Sequence, residues 1–218
     1  MQALNPGFVL HGKRDYTIKS VLGHGGCGIL YYATSKVMDG NIEQNLEYAI
    51  KEYFDDDCCQ RESNGQVKQT EADKEMRDNF RAEATRLKNL KPNRNIVRVN
   101  EVFEQNGTFY YVMEFLQGRT LRDRVNSDGR LREDEALKYI SQIGDALSYL
   151  HSERINHLDV KPDNIMVVGK GEDERAVLID FGLSKHFDAS GKLQGKQGYD
   201  GASKGYAPPE QYEGIEEF

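Results

Sequence analysis

Two short segments constrain how this chain can return on itself. Residues 157–164 read HLDVKPDN, and Asp180-Phe181-Gly182 begins sixteen residues after Asn164. Between them, Ile165-Met166-Val167-Val168 and Ala176-Val177-Leu178-Ile179 lie on either side of Gly169-Lys170-Gly171. Apolar runs around a glycine turn predict a short hairpin, one that presents Asp180 to the loop before it. The two segments supply a carboxylate, a lysine, an asparagine and a second carboxylate. Phosphoryl transfer needs such a set: a group to orient a hydroxyl, cation charge on the moving phosphoryl, and oxygens to hold metal. Asp159 can accept the hydroxyl proton and Lys161 can steady the phosphate. Asn164 offers a neutral metal ligand and Asp180 a charged one, and hard oxygens of this kind suit Mg²⁺ on nucleotide phosphates.

Further signals stand upstream and downstream in a fixed order. Gly23-His24-Gly25-Gly26-Cys27-Gly28 is a glycine-rich turn, Ala49-Ile50-Lys51 ends a strand-like run, and Ala207-Pro208-Pro209-Glu210 lies near the end. Each is weak alone; their order and spacing over about 9–210 are not. The chain resembles eukaryotic-type (Hanks-type) serine/threonine protein kinases, with the Pro-Pro-Glu-Gln phrase similar to bacterial members. The resemblance implies an α+β, protein-kinase-like two-lobe fold. It would have a five-stranded antiparallel N-lobe sheet plus one helix over 1–113, a connector at 114–116, and a partial helical C-lobe over 117–218. It implies ATP and Mg²⁺ as cofactors and Ser or Thr hydroxyls of protein substrates as acceptors. Asp159, Lys161, Asn164, Lys51 and Glu83 carry over as catalytic residues, with Glu83 pairing Lys51 and Glu75 the weaker candidate. Leu22, Gly23, Gly25, Gly28, Leu30, Ala49, Lys51, Met113, Glu114, Leu116, Met166 and Asp180 carry over as nucleotide contacts, Glu114 and Leu116 through their backbones. Ser203 occupies the place of a hydroxyl residue that contacts the catalytic Asp and Lys.

Composition narrows the partners. A net charge of −7 over 218 residues argues against a general binder of nucleic acid or anionic membrane. No apolar run approaches the roughly 20 residues of a membrane span. Three cysteines, Cys27 and the adjacent Cys58 and Cys59, form neither a disulfide framework nor a zinc pattern. Reduced cytoplasm is the expected compartment, with Cys27 a small residue in a loop.

Local patterns sketch the remaining organisation. Strands are predicted over 16–22, 29–33, 47–53, 96–103 and 108–113, with an Asn106-Gly107 turn before the last. Glycines at 23–28 are expected to allow close approach of phosphate and to take positive φ at several positions. The polar stretch 55–78 lacks an apolar period and is expected to be a flexible insertion. A helix is predicted around 80–90 with Phe80, Ala84 and Leu87 on its apolar stripe and Glu83 beside it. A second is predicted over 131–155, with Ala136, Ile140, Ile143, Leu147 and Leu150 recurring at helical spacing and acidic residues in its first turn.

Two departures from the family pattern carry expectations. Kinases of this type continue with further helices after the Pro-Pro-Glu segment. Leaving three or four side chains of the 131–155 stripe wet forfeits about 1.5–3 kcal/mol each. A fragment of weak or no activity, or self-association through the uncovered C-lobe face, is therefore expected. The alternatives are a nucleotide-binding pseudokinase or interaction module, against which Asp159 argues, and a small-molecule phosphotransferase, against which Asp180-Phe181-Gly182 with the Pro-Pro-Glu segment argues. The second departure is Leu158, where the family usually has an arginine that pairs with an activation-loop phosphate. Activity should then not depend on phosphorylation of Ser190, Tyr199 or Ser203 in the segment 180–210. Alanine at these hydroxyls that abolishes transfer, with recovery on an acidic mimic, would refute that.

Overall fold

A computed structural model describes residues 2–25, 28–70, 74–192 and 202–212. The chain divides into two compact units, the first comprising Met1–Lys91 and Arg98–Phe115, the second Pro92–Val97 and Leu116–Phe218. Among the described residues no helix is long and apolar enough to cross a membrane.

The first unit is built on one antiparallel sheet. Its strands are β1 (Val9–His11), β2 (Asp15–Gly25), β3 (Gly28–Asp39), β4 (Ile42–Tyr53), then β7 (Val99–Gln105) and β8 (Thr108–Glu114), in the order β1-β2-β3-β4-β8-β7. All five predicted strands are there, and the short edge strand β1 makes a sixth. Strand β7 starts at Val99, not at 96, because Ile96 and Val97 belong to the second unit. Local chemistry sets the register. Gln105 pairs with Thr108 across Asn106-Gly107, whose φ values of 54° and 75° are the doubly positive pair of a hairpin turn that Asn-Gly favours. Gly40, at φ 60°, sits in the corresponding turn between Asp39 and Ile42.

Each face of this sheet has its own cover. Helix α1 (Lys74–Asn89) buries Phe80, Ala84 and Leu87, as its apolar spacing predicts. The Phe80 ring lies 5.4 Å from Tyr53 and 5.1 Å from Tyr111, so α1 packs on the side of β4 that carries Tyr53. On the opposite face Glu52 is fully buried. Its carboxylate accepts hydrogen bonds from Tyr31, Tyr110 and Arg61, each at 2.6 Å. Arg61 comes from the 55–78 stretch, which is not the loop expected of it. It folds into a hairpin, β5 (Cys59–Arg61) and β6 (Val67–Gln69), before α1 begins. Cys59 is buried in it. The Arg61 guanidinium also donates to the Gln2 and Gly65 carbonyls and lies over the Phe54 ring, while the Leu4 N–H donates to Tyr31 Oη. The insertion and the N-terminal segment thus close over a buried ion pair. An apolar period cannot reveal such a piece, because what it inserts is a charge.

The second unit carries β9 (Gly118–Thr120), α2 (Leu121–Asp128), α3 (Glu133–Ser152), β10 (Ile155–Asn156), β11 (Ile165–Val168), β12 (Arg175–Leu178) and β13 (Lys185–His186). Strands β12, β11 and β9 form a small antiparallel sheet, and β10 pairs with β13. The β11–β12 hairpin is in the predicted place, Ile165 opposite Leu178 and Val168 opposite Arg175. Gly118 is required where β9 crosses β11, since a Cβ there would lie 2.2 Å from the Val167 carbonyl oxygen. Residues 92–97 run beside β12, with Val97 N–H bonded to the Leu178 carbonyl and Leu178 N–H to that of Asn95.

Helix α3 corrects the predicted stripe. Tyr139, Ile143, Ala146 and Leu150 are buried, whereas Ile140 is 68 % and Leu137 58 % exposed. Tyr139, which the expected stripe omits, carries a hydroxyl. That hydroxyl is satisfied by Glu174 Oε1 at 2.7 Å, so the ring can be buried.

The Glu52–Arg61 pair gives a direct test. Replacing Arg61 by leucine leaves a buried carboxylate without its cation, and is expected to cost about 3–5 kcal/mol in urea unfolding. Replacing Lys36, paired to Glu43 at the surface with 71 % of its side chain exposed, should cost less than about 1 kcal/mol.

Candidate functional site

The predicted catalytic loop lies wholly within the second unit, and the hairpin determines its geometry. After β11 and β12 the chain returns so that Ile179 N–H bonds to the Asn164 carbonyl at 2.9 Å, which brings Asp180 beside the end of the loop. The loop itself is turned by Pro162–Asn164, a single 3-10 turn closed by Asn164 N–H on the Lys161 carbonyl. Proline at its first position suits such a start.

Asp159 is the centre of the resulting cluster. Its Oδ2 accepts from Lys161 Nζ and from Asn164 Nδ2, both at 2.8 Å, and its Oδ1 accepts from Ser203 Oγ at 2.6 Å. Lys161 Nζ also donates to Ser203 Oγ at 2.7 Å, so ammonium, hydroxyl and carboxylate form a closed triangle. Asn164 Nδ2 reaches the Asp159 carbonyl as well, at 2.9 Å. Both hydrogen bonds of that amide use its nitrogen, which leaves Oδ1 as a neutral oxygen. With the exposed Asp180 carboxylate, it fits a hard divalent ion that takes few protein ligands and completes its shell with water and phosphate. Among the described residues no group of three or more His, Cys, Asp or Glu side chains is placed to hold a metal.

His157 braces the loop from inside. It is 1 % exposed, and its ring lies 4.7 Å from that of Phe181. Nε2 donates to the Ile179 carbonyl and Nδ1 accepts from the Asp159 N–H, which assigns the proton to Nε2. Burial holds its pKa below the ordinary value, against the opposing pull of the Ile179 carbonyl and of Asp180 and Asp159. Leu158, next along, has φ 61°, and Asp180 has φ 55°; both are left-handed positions that side chains seldom occupy.

Three side chains bind the segment 202–212 to this loop. Besides Ser203, Tyr206 Oη accepts from Arg122 Nη2 at 2.6 Å, and the same guanidinium lies against Asp163. Gln211, 3 % exposed, donates from Nε2 to the Leu158 carbonyl at 2.9 Å. Sequence reasoning anticipated Ser203 and missed Arg122 and Gln211. A single Arg on a short polar helix and a Gln after Pro-Pro-Glu give no periodic or motif signal of a contact tens of residues away. Because Ser203 Oγ is part of the triangle, alanine there removes a hydrogen bond whatever its phosphorylation. Tyr199, Gly26 and Cys27 lie outside the described residues.

In the first unit, cross-strand pairing gathers the predicted nucleotide residues on one face. Leu30 is opposite Lys51, which is opposite Tyr111; Tyr32 is opposite Ala49, which is opposite Met113. Directly paired residues share a face, so Leu30, Ala49, Lys51 and Met113 form two adjacent rows on the side where α1 packs. Glu83 is half-buried on α1, one turn from Phe80, and its charge also acts on Arg86. Glu75 is exposed. Leu22 is 46 % exposed. The Glu114 side chain accepts from Arg98 N–H at 2.9 Å, a structural anchor separate from its backbone. Leu116 and Met166 are half-exposed in the second unit, Met166 opposite Val177 on β12.

The glycines of 23–28 correct one expectation. None of Gly23, Gly25 and Gly28 has positive φ. Gly28 is needed for space, because a Cβ there would lie 2.8 Å from the Glu52 carbonyl oxygen and 3.3 Å from Lys51 Cε. Around Gly23 and Gly25 a Cβ would meet nothing within 4 Å.

The family model described as protein kinase domain matches residues 16–215. A calcium/calmodulin-dependent protein kinase type 1 of Caenorhabditis briggsae is 30 % identical over 198 residues, covering 91 % of this chain and 48 % of the relative. A probable myosin light chain kinase of Dictyostelium discoideum is 37 % identical over 116 residues, 53 % of this chain and 29 % of that one. Among solved structures, PpkA-294 in its apo form superposes with a TM-score of 0.68 at 26 % identity, over 84 % of this chain and 62 % of the other. The chain spans half or less of the length of these curated relatives.

The buried His157 predicts a pH dependence. The folded state binds fewer protons at this ring than the unfolded state, so stability is complete above the ordinary value near pH 6.5 and falls as pH drops below it. Urea unfolding at pH 7.5 and pH 5.0 should show a larger loss for the wild type than for His157→Asn; equal losses would refute it.

Proposed function

The chain belongs to the protein kinase family, and from that premise we propose that it transfers the γ-phosphoryl group of ATP to Ser or Thr hydroxyls of protein substrates. The observation that carries this reading is the triangle at Asp159. A carboxylate oxygen that accepts from the Ser203 hydroxyl can accept equally from an incoming substrate hydroxyl. As the substrate hydroxyl oxygen bonds to phosphorus and the bond from phosphorus to the ADP oxygen breaks, the hydroxyl proton passes to Asp159. Lys161 Nζ, already beside the same carboxylate, offsets negative charge on the moving phosphoryl. Asn164 Oδ1 and Asp180 would hold Mg²⁺, which supplies charge neutralisation on the phosphates when bound. Lys51 is assigned to the nucleotide phosphates with Glu83 as its partner. Leu22, Leu30, Ala49, Met113 and Met166 are assigned to the adenine, and the backbones of Glu114 and Leu116 to its edge. The open space at Gly23 and Gly25 supports close approach of phosphate to the backbone. Lys161 two residues after Asp159 supports Ser and Thr as acceptors. A nucleotide-binding pseudokinase or interaction module is the second reading, and the exposed Leu137 and Ile140 on α3, an apolar pair open to a partner, favour it. That face is proposed to be covered by self-association; a monomer by light scattering that phosphorylates peptide robustly would overturn this.

Asp159→Asn in a protein containing this domain should lower kcat for peptide phosphorylation by about 10²–10⁴-fold with ATP affinity retained. Transfer at the wild-type rate in that variant would refute the assignment, and ATP binding without transfer in the wild type would establish the second reading.

A further inference from the structure

Leu158 presents a conformational problem that its own loop does not solve. A leucine at φ 61° brings its Cβ against the backbone and is disfavoured unless its surroundings hold it. The residue that follows it is Asp159, so any relaxation of Leu158 turns the carboxylate away from Lys161 and Ser203. Two of the peptide groups here are held from within the loop, Asp159 N–H by His157 Nδ1 and the Asp159 carbonyl by Asn164 Nδ2. The Leu158 carbonyl is held from outside it, by Gln211 Nε2 at 2.9 Å, 53 residues along the chain. Gln211 is 3 % exposed, and a buried amide is tolerated only where it is bonded. Its backbone is fixed in turn by the 3-10 turn Pro209–Gln211, where its N–H bonds the Pro208 carbonyl at 3.0 Å.

We propose that Gln211 is a positioning residue for Asp159. Its amide holds the Leu158 peptide in the left-handed turn and so aims the carboxylate, making the seating of 202–212 a condition of alignment. The inference rests on the phosphoryl-transfer reading of Asp159 and adds a means of control to it. The contacts that seat the segment, Gln211 to Leu158, Tyr206 to Arg122 and Ser203 to Lys161 and Asp159, use neutral groups or charges already present in the chain. No phosphate is called for, and Leu158 offers no cation to receive one. An amide does by hydrogen bonding what a phosphate–guanidinium pair does by charge.

The test uses the full chain with Gln211→Leu and Gln211→Glu, the second nearly isosteric and carrying an acceptor in place of the donor. Peptide phosphorylation, nucleotide binding, thermal midpoint and amide hydrogen exchange over 157–164 are measured. The expected result is a fall in kcat of about 10–100-fold, as small misplacements of a reacting group produce. KM for ATP should stay within about twofold, the midpoint should fall by about 2–12 °C, and exchange over 157–164 should rise about tenfold or more. Adding Leu158→Gly to Gln211→Leu should restore much of the lost kcat, because glycine adopts positive φ without the side-chain penalty. Unchanged exchange and unchanged kcat in both variants overturn the proposal. So does a loss of kcat that tracks a lowered midpoint and is not recovered by Leu158→Gly. If the wild-type chain transfers nothing yet both variants raise exchange over 157–164, the positioning role stands and the phosphoryl-transfer reading falls.

Discussion

Asp159 keeps only a tenth of its side chain in water, and three donors answer its carboxylate: Lys161, Asn164 and Ser203. A charge so far removed from solvent is tolerated only when paired and fully hydrogen-bonded. Each donor imposes a demand on the fold. Lys161 and Asn164 require the tight turn at Pro162–Asn164, and that turn requires the β11–β12 hairpin to return against the Asn164 carbonyl. Ser203 requires the chain to come back after a long excursion. The architecture of the second unit can be understood as the set of connections that keeps one carboxylate satisfied.

The first unit solves a similar problem for a different end. Glu52 is buried with Arg61 and two tyrosine hydroxyls on the face of β4 turned away from Lys51. Burial, with the Glu52 charge and hydrogen bonds adding to it, pushes the Tyr31 and Tyr110 hydroxyls far above the ordinary tyrosine pKa, so both remain donors across the physiological range. A single strand therefore presents a lysine on one side and is anchored through an acid on the other. The anchor joins β3, β4, β8 and the inserted hairpin at one point.

The parts of this molecule that could be read from sequence are those in which function or turn geometry restricts residue type. HLDVKPDN with Asp180-Phe181-Gly182, the Asn106-Gly107 turn, the β11–β12 hairpin and the Phe80-Ala84-Leu87 stripe all fall in this class. Reading failed where burial is polar. The hairpin at 59–69 inserts Arg61, and α3 buries Tyr139 with its hydroxyl bonded to Glu174. Ile140 and Leu137 illustrate the converse, since an apolar residue on a helix need not face this unit's interior. Contacts such as Gln211 to Leu158 were invisible for another reason: they depend on two loops meeting, and no local pattern encodes the meeting.

The space beside Gly28 has a wider meaning for how this chain can change over time. Its missing methyl is occupied by the carbonyl of Glu52 and the stem of Lys51, so the glycine-rich turn and the lysine strand, at the open ends of consecutive strands β3 and β4, interlock sterically. Neither segment can be exchanged piecemeal for one from a distant relative with a different strand spacing, because the graft would arrive without its matching recess. Homologues and engineered chimeras should inherit the two stretches as one module, and recombination points that divide them will be poorly tolerated.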